Sequence, residues 1–281
     1  MLARVAAMTG MALGSSVTAW RRLLGGAALS LSLSLPQPLP ALAAQINHPT
    51  REEIQSVFRS DAWRDSSFEP SEEDFLRLDD SSDSLFYKEP RFVEHIDASA
   101  VRALTDFHGR ELQRLHQELA RPVDVLDLCS SWVSHLPNEE RGRLGNVVGL
   151  GMNEIELRRN PQLTRFTVKD LNADPKLPFE DSSFDLVLIQ LSIDYLTKPI
   201  QVLQEVGRVL RPSGELAISF SNRVFLDKAV AIWTGKPDVE HIETVGYYIK
   251  ATNLFQEPFE AIDLLPDTSS DPMYVVKALS R

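Results

Sequence analysis

The stretch FDLVLIQL, residues 184–191, decides which fold this chain is predicted to have. It is short and apolar at nearly every position, which is typical of a strand buried on both faces of a parallel sheet. Pro199 then begins a helix as a first-turn proline, and Gly214 is the predicted helix-ending glycine. A further apolar strand follows over residues 215–220. Strand, helix and strand in this order predict a βαβ unit.

The same alternation extends in both directions from this unit. The flanking strands are predicted at residues 123–128, 146–150, 166–168, 261–265 and 273–279. The flanking helices are predicted at residues 98–120, behind Asp97 as N-cap, and at 224–233 and 238–250. The last two strands are joined by a polar turn containing Pro266, Asp267, Ser269 and Ser270, which predicts an antiparallel hairpin. The fold class is therefore α/β, with a Rossmann-like seven-stranded sheet and helices on both faces.

Composition and charge limit the function classes. The chain has 281 residues, of which 43% are apolar and 25% charged, as in an ordinary globular domain with extensions. Its net charge is −11, so a nucleic-acid partner held by phosphate contacts is not expected. Cys129 is the one cysteine, and the six histidines show no metal-ligand spacing. No disulfide and no metal site are therefore predicted.

The first 43 residues are predicted to be a targeting peptide. No Asp or Glu occurs before Glu52, an acid-poor bias that is typical of organelle transit peptides. Arg21 and Arg22 precede an apolar run, and Ala-Leu-Ala at residues 41–43 forms an A-x-A cleavage site, as in export signals. The run is shorter than the ~20 residues of a bilayer span, so no span is expected in the mature chain. The predicted destination is the chloroplast and, within it, the thylakoid lumen. A bacterial exported protein, a mitochondrial presequence and an uncleaved anchor are the alternatives.

Residues 44–96 are polar and acidic, and predict an irregular arm with one short helix near residues 51–59. Tyr87, Arg91 and His95 form a polar cluster at the end of this arm. The cluster is interpreted either as part of a lid or as a solvated loop. The main domain is predicted over residues 97–281.

The most specific motif begins at Asp170-Leu171-Asn172 and continues as LPFEDSSFD over residues 177–185. EVGRVLRPSG at residues 205–214 and DPMYVV at residues 271–276 follow in order. Together with VLDL at residues 125–128, these blocks resemble the type 11 methyltransferases of the class I S-adenosylmethionine-dependent methyltransferase superfamily. More narrowly, PRFV at residues 90–93 and CSSWVS at residues 129–134 resemble an uncharacterised group of plastid methyltransferase-like proteins of plants and algae.

The resemblance implies strand order 3-2-1-4-5-7-6 with strand 7 antiparallel, and S-adenosylmethionine bound across the carboxyl ends of strands 1 and 2, beside strand 4. The implied cofactor-binding residues are Asp127, Leu128, Cys129, Ser130, Ser131, Trp132, Gly151, Met152, Asn153, Asp170, Leu171, Asn172 and Gln190. Substrate contacts are predicted for Tyr87, Arg91, His95 and Tyr195. For Asp127 the alternative is a cap on the turn after strand 1, and for Cys129 a small buried apolar side chain.

The chain departs from the family pattern at two places. Cys129, Ser131 and Val133 stand at the three glycine positions after strand 1. A β-branched Val is strained at positive φ, so this loop is expected to follow a different path. At the end of strand 2, Gly151 stands where an acid normally holds the ribose, and Asn153 or Glu154 is the predicted substitute.

Two functions of different classes remain open at this stage. The first is methyl transfer from S-adenosylmethionine to a small-molecule or protein acceptor, which Tyr195, Asp194 or His241 could contact. The second is a catalytically inactive methyltransferase-like domain used for binding or assembly, which the two departures favour. A nicotinamide-dependent oxidoreductase is set aside, because G-x-G-x-x-G does not follow strand 1. The acceptor and the oligomeric state do not follow from the sequence.

Overall fold

The computed structural model describes residues 49–265 and 270–281, which form one seven-stranded sheet. The strands are β1 (Val123–Leu128), β2 (Leu144–Gly151), β3 (Arg165–Val168), β4 (Phe184–Gln190), β5 (Leu210–Phe220), β6 (Phe255–Asp263) and β7 (Tyr274–Ser280). Their order is β3-β2-β1-β4-β5-β7-β6, and only β7 runs antiparallel to its neighbours. The fold class and the strand order predicted above are confirmed. The leader predicted over residues 1–43, and three of the four predicted turn residues (Pro266, Asp267 and Ser269), lie outside the described residues.

Seven α-helices accompany the sheet in the described part of the chain. They are α1 (Arg51–Ser56), α2 (Asp61–Arg64), α3 (Asp83–Phe86), α4 (Ala98–Leu119), α5 (Glu154–Arg159), α6 (Pro199–Val209) and α7 (Asp238–Thr252). Asp97 caps α4 as predicted, because its Oδ1 accepts from the backbone N–H groups of Ser99 (2.8 Å) and Ala100 (2.9 Å). None of the described helices is long and apolar enough to cross a membrane.

Helices pack against both faces of the sheet, and the side chains of β1 contribute to the apolar cluster on each face. Leu126 and Leu128 belong to one apolar cluster, which includes α6 and α7 residues such as Val206. Val123 and Val125 belong to a second cluster, which α4 covers with residues such as Leu104. Side chains of a strand alternate between its two faces, so a strand buried on both faces is largely apolar. Each fully buried Val or Leu side chain stabilises the folded state by about 1.5–3 kcal/mol relative to an exposed one.

The arm before α4 is attached to the main sheet through aromatic side chains. Phe58 and Trp63 are buried, and their rings meet edge to face at 4.8 Å between centroids. Trp63 also packs against Tyr247 of α7, at 4.7 Å between ring centroids. A Cβ on Gly246 would lie 2.3 Å from Phe58 Cε1, so only glycine admits this ring. The arm therefore has a fixed attachment before it reaches the carboxyl edge of the sheet.

Three sequence predictions are wrong. Residues 224–233 form turns rather than a helix, because their N–H groups bond the arm: Ala231 donates to the Leu76 carbonyl (2.8 Å) and Ile232 to that of Asp74 (2.9 Å). Gly214 does not end the preceding helix. That helix, α6, ends at Val209 and β5 begins at the next residue. Strand β6 begins at Phe255, six residues before the predicted start.

Candidate functional site

A cavity of about 580 Å³ opens at the carboxyl edge of the sheet. It lies where β1, β2 and β4 end, and the last or following residue of each strand lines it: Cys129, Gly151 and Gln190. Open α/β sheets bind their ligands at this edge. The volume lies within the range of roughly 300–1,000 Å³ that is usual for small-molecule sites.

The structure brings together nearly every residue predicted for the site. All predicted cofactor and substrate residues line the cavity except Leu128, whose side chain is buried beneath it. His241 lies elsewhere: its ring stacks on Trp233 at 4.1 Å between centroids. Glu154, one of the two substitutes considered for the ribose acid, does not line the cavity and instead pairs with Arg158.

The loop after β1 turns without glycine. Cys129 adopts φ 59°, the left-handed region that favours glycine, whereas Ser131 and Val133 do not. The Ser130 N–H then donates to the Leu150 carbonyl of β2 (2.8 Å). The loop continues into a 3₁₀ turn at Asn138–Arg143 and reaches β2 with no α-helix between the two strands. It follows that this crossover presents no helix N-terminus to a ligand in the cavity.

Asp127 at the end of β1 is buried and hydrogen-bonded within the protein. Its Oδ2 accepts from the hydroxyls of Ser130 and Ser134, both at 2.6 Å, and its Oδ1 accepts from Gln190 Nε2 at 2.9 Å. Burial raises the pKa of this carboxyl, and the three hydrogen bonds oppose the rise. Asp127 therefore fixes the loop after β1 to β4. The neighbouring Oε1 of Gln190 is buried with no partner among the described residues, so it is available to a ligand donor.

Gly151 at the end of β2 has no room for a side chain. A Cβ there would lie 2.0 Å from the Ser130 carbonyl oxygen, so the loop after β1 crosses the position of the usual acid. Asn153, the other predicted substitute, does line the cavity, but its Oδ1 caps α5 at the Ile155 and Glu156 N–H groups. Its Nδ2 donates to the carbonyl of Tyr87 (2.8 Å).

Asp170 follows β3 and keeps one oxygen free. Its Oδ1 accepts from the N–H groups of Asn172 (2.9 Å) and Ala173 (3.1 Å), which closes a tight turn. Its Oδ2 makes no hydrogen bond to the described residues, and Leu171 and Met152 line the cavity beside it. The turn therefore holds an acceptor oxygen next to an apolar surface.

Residues 129–218 match a family described as a methyltransferase domain. This match, together with the strand order, supports the class I S-adenosylmethionine-dependent methyltransferase superfamily for this domain. Among curated relatives, a demethylmenaquinone methyltransferase of Lactiplantibacillus plantarum is 32% identical over 167 residues, which cover 55% of this chain and 64% of that protein. A demethylmenaquinone methyltransferase of Listeria monocytogenes serotype 4a is 36% identical over 105 residues, which cover 34% of this chain and 43% of that protein. The chain thus spans less than two thirds of the length of these relatives.

Two solved structures also align with the methyltransferase domain. An S-adenosylmethionine-dependent methyltransferase of Methanosarcina mazei is 17% identical, with a TM-score of 0.41; the alignment covers 59% of this chain and 95% of that chain. An S-adenosylmethionine-dependent methyltransferase of Aquifex aeolicus is 18% identical, with a TM-score of 0.40; the alignment covers 66% of this chain and 99% of that chain.

S-adenosylmethionine is the cofactor of this superfamily, and the cavity of the methyltransferase domain fits it at two places. The free oxygen of Asp170, beside Leu171 and Met152, suits the amino group and face of an adenine. The partnerless Oε1 of Gln190, close to Asp127, suits the ammonium group of the methionine part. The fit is poorest at the ribose, because no side chain is possible at Gly151.

Residues 83–95, which we call the cover segment, close one side of the cavity and are tied to three strand ends. Asn172, after β3, donates to Asp83 Oδ2 (2.8 Å). Glu156, in the helix after β2, accepts from the Arg91 N–H (2.6 Å), and Trp132, after β1, donates to the Val93 carbonyl (3.3 Å). The cover segment and the cofactor loops of the methyltransferase domain are therefore one hydrogen-bonded unit.

One part of the cavity wall is aromatic. The Tyr195 hydroxyl accepts from the Phe225 N–H (2.9 Å), and the Phe225 ring meets the rings of His95 (5.5 Å) and Tyr195 (6.1 Å) between centroids. The Arg91 guanidinium lies 5.5 Å from the Phe225 ring centroid. Aromatic walls with a few polar groups are typical of sites for planar organic molecules.

Two imidazoles of the cavity are kept neutral at physiological pH. Burial, and then the charge of Arg91, lower the pKa of His95. Burial, and then His95, lower the pKa of His135 to about 4. His135 Nε2 lies 3.9 Å from Glu94 Oε2 of the cover segment. The thiol of Cys129 is protonated, because burial and nearby carboxylates raise its pKa to about 12.

The sequence reasoning missed several residues of the cavity wall. The largest missed group is residues 222–226, which follow β5 and line the cavity. Their position was predictable, since β5 ends at the same edge as β4, but a helix was predicted there instead. His135, Glu94 and Glu156 were also missed, and no motif in the sequence points to them.

Proposed function

We propose that this chain transfers a methyl group from S-adenosylmethionine to a small aromatic acceptor that carries a hydroxyl group. One observation carries the proposal: a single cavity joins the strand ends that suit the cofactor to a wall formed by Tyr195, His95 and Phe225. The cofactor supplies an electrophilic methyl group. The chain's own residues then have to align the acceptor with it, and alignment can supply roughly 7–11 kcal/mol.

The curated relatives support a quinone-like acceptor, because both are demethylmenaquinone methyltransferases. A quinol ring is planar, apolar on its faces and polar at its hydroxyls, which suits the aromatic wall and the neutral His95 and His135. A protein side chain remains the alternative acceptor, and would need access past the cover segment.

A specific observation favours a second function, binding without catalysis. Asp127 already has three hydrogen bonds inside the protein, and the glycines that usually shape the adjacent loop are absent. A domain of this kind would hold the cofactor or its demethylated product as a structural ligand. Such a domain would bind the cofactor and transfer no methyl group.

The test uses the full chain in two steps. Calorimetry with S-adenosylmethionine and S-adenosylhomocysteine measures binding, and labelled methyl transfer to a reduced, soluble naphthoquinone measures activity. Asp170→Ala should weaken binding, while Asp106→Ala, on the exposed side of α4, is the matched control. Cofactor binding together with methyl transfer to the naphthoquinol supports the enzymatic function. Binding without transfer to the naphthoquinol or to any tissue-extract fraction makes the binding domain the better description, and no binding at millimolar concentration rejects both.

A further inference from the structure

Arg91 belongs to the cover segment and lines the cavity. Its backbone N–H donates to Glu156 Oε1 (2.6 Å) and its Nη2 donates to the Phe86 carbonyl (3.2 Å), so the residue is held at both ends. The guanidinium lies over the Phe86 ring, 4.2 Å from its centroid, and 5.5 Å from the centroid of the Phe225 ring. The faces of aromatic rings attract a guanidinium. The charge of Arg91 is therefore fixed beside the aromatic part of the cavity wall.

Arg91 makes no ion pair with any acid in the described part of the chain, which distinguishes it from the other cations that line the cavity. Lys169 Nζ lies 2.6 Å from Asp174 Oδ2, and Arg223 Nε lies 3.9 Å from Asp271 Oδ2. Beyond the single bond of its Nη2, the guanidinium of Arg91 has no hydrogen-bond acceptor among the described residues. A guanidinium presents its N–H groups in a planar fork that matches a carboxylate. The remaining N–H groups are therefore available to an anion that enters the cavity.

The ionisable groups around Arg91 leave its positive charge uncompensated at the cavity wall. Glu156 accepts from the backbone N–H of Arg91 and makes no ion pair with the guanidinium. The carboxylate of Glu94 lies 3.9 Å from His135 Nε2. His95 adds no charge of its own, because burial and the charge of Arg91 lower the pKa of its imidazole.

We propose that Arg91 binds a carboxylate of the methyl acceptor, so that the cavity prefers an aromatic hydroxy acid to a neutral ring of the same shape. This rests on the proposed function. The acid group accepts from the free N–H groups of the guanidinium, and the acceptor ring packs beside Phe225. One edge of the ring is then held at the wall, and the hydroxyl on another edge is left for the methyl donor. The methionine part of the cofactor also carries a carboxylate, and the experiment separates these two sources.

The experiment uses the full chain and two acceptors of nearly the same shape, a naphthalenediol that carries a carboxylic acid and the same diol with a carboxamide. The parent chain should have a kcat/KM roughly 10–100-fold higher for the acid, which corresponds to one hydrogen-bonded charge pair. Arg91→Gln should remove this preference by lowering kcat/KM for the acid alone, and Arg91→Lys should restore part of it. Arg102→Gln, on the exposed side of α4, is the matched control and should keep the preference. A variant that only disturbed the fold would lower kcat/KM for both acceptors alike.

Calorimetry identifies which carboxylate Arg91 binds. Arg91→Gln should leave the affinity for S-adenosylhomocysteine nearly unchanged; a large loss of that affinity with an unchanged acceptor preference would assign Arg91 to the cofactor and overturn the inference. If the parent chain methylates both acceptors equally well, the inference is wrong and the proposed function stands.

If the parent chain methylates neither acceptor, the proposed function fails and the anion site is tested by binding alone. The acid and the carboxamide are then titrated into the chain saturated with S-adenosylhomocysteine. Tighter binding of the acid that is lost in Arg91→Gln supports the site, and equal binding of the two, or none, overturns it.

Discussion

Replacing Asp194 by Asn should make the protein more stable at alkaline pH. The folded-state pKa of this group is raised to about 7 from the ordinary 3.8. A group with a raised folded-state pKa contributes stability that is fully present below the unfolded-state pKa and is lost as the pH rises through the folded-state pKa. The parent chain should therefore lose stability between about pH 4 and about pH 7. The neutral amide of Asn removes this loss.

The magnitude follows from the pKa difference. About three pH units, at roughly 1.4 kcal/mol per unit, give about 4 kcal/mol as the upper limit of the gain. Relaxation of the turn around the ionised group reduces this value, so we expect Asp194→Asn to exceed the parent chain by roughly 2–4 kcal/mol at about pH 8. Near pH 4 the two proteins should be about equally stable, because the carboxyl is then neutral.

Asp185→Asn is the matched control and should have the opposite sign. Burial acts to raise the pKa of Asp185, but hydrogen bonds from Arg121 and the Asp124 N–H, together with the ion pair with Arg211, outweigh it, and the net shift is downward. A lowered folded-state pKa contributes stability that is present above the unfolded-state pKa and lost as the pH falls. At about pH 8, Asp185→Asn should therefore destabilise the protein, by on the order of 1–3 kcal/mol.

Urea unfolding at about pH 5 and about pH 8, followed by circular dichroism, measures the free energy of unfolding of the three proteins. The informative quantity is the change in the variant-minus-parent difference between the two pH values. It should be positive for Asp194→Asn and negative or near zero for Asp185→Asn. An Asp194→Asn protein that gains nothing relative to the parent at the higher pH would refute the reasoning, since the carboxylate would then be stabilised by an interaction that the structure does not contain.

Three other predictions concern the cofactor loops and the leader. Asp170→Ala should lower affinity for S-adenosylmethionine about tenfold in calorimetry, or about 1.4 kcal/mol, while Asp106→Ala leaves it unchanged. Gly151→Ala should destabilise the fold by at least about 2 kcal/mol in urea unfolding, because its Cβ would meet the Ser130 carbonyl at 2.0 Å; wild-type stability would reject the loop path. We propose that the leader is removed near Ala43, and mass spectrometry of the protein from its native source should find no N-terminus at Met1.

The centre of the sheet was predictable because strands that are buried on both faces are short and mostly apolar. β1 has the predicted bounds, and β4 differs from its prediction by one residue. The edge strand β6 was harder to predict, because its first half contains the consecutive exposed residues Gln256, Glu257 and Pro258. Proline is tolerated in an edge strand, but in a sequence it argues against predicting a strand. The segment over residues 224–233 was misread because its backbone bonds the arm, a partner about 150 residues earlier in the chain.

The position of the site was also predictable, since parallel strands deliver their carboxyl ends to one edge. The chemistry at that edge was less so. Asn153 and Glu156 hold the cover segment, and no local pattern links either to a backbone group more than sixty residues away. Asp194 gave a clearer signal, because it is an acid beside a tyrosine in the turn that follows the buried strand β4. The sequence could not show that no cation among the described residues shifts the pKa of Asp194, because that depends on the whole fold.

The two departures from the family pattern have one structural cause. Because Cys129 turns at φ 59° and the Ser130 N–H bonds Leu150, the Ser130 carbonyl crosses the end of β2. That carbonyl occupies the space of a side chain at Gly151, so an acid there and this loop path are mutually exclusive. A chain that changes the loop must therefore give up the ribose acid as well, and restoring the acid alone would displace the loop rather than rebuild the usual site. Cofactor affinity then has to come from the Asp170 turn, which follows β3, and from Gln190 at the end of β4, both outside the altered crossover.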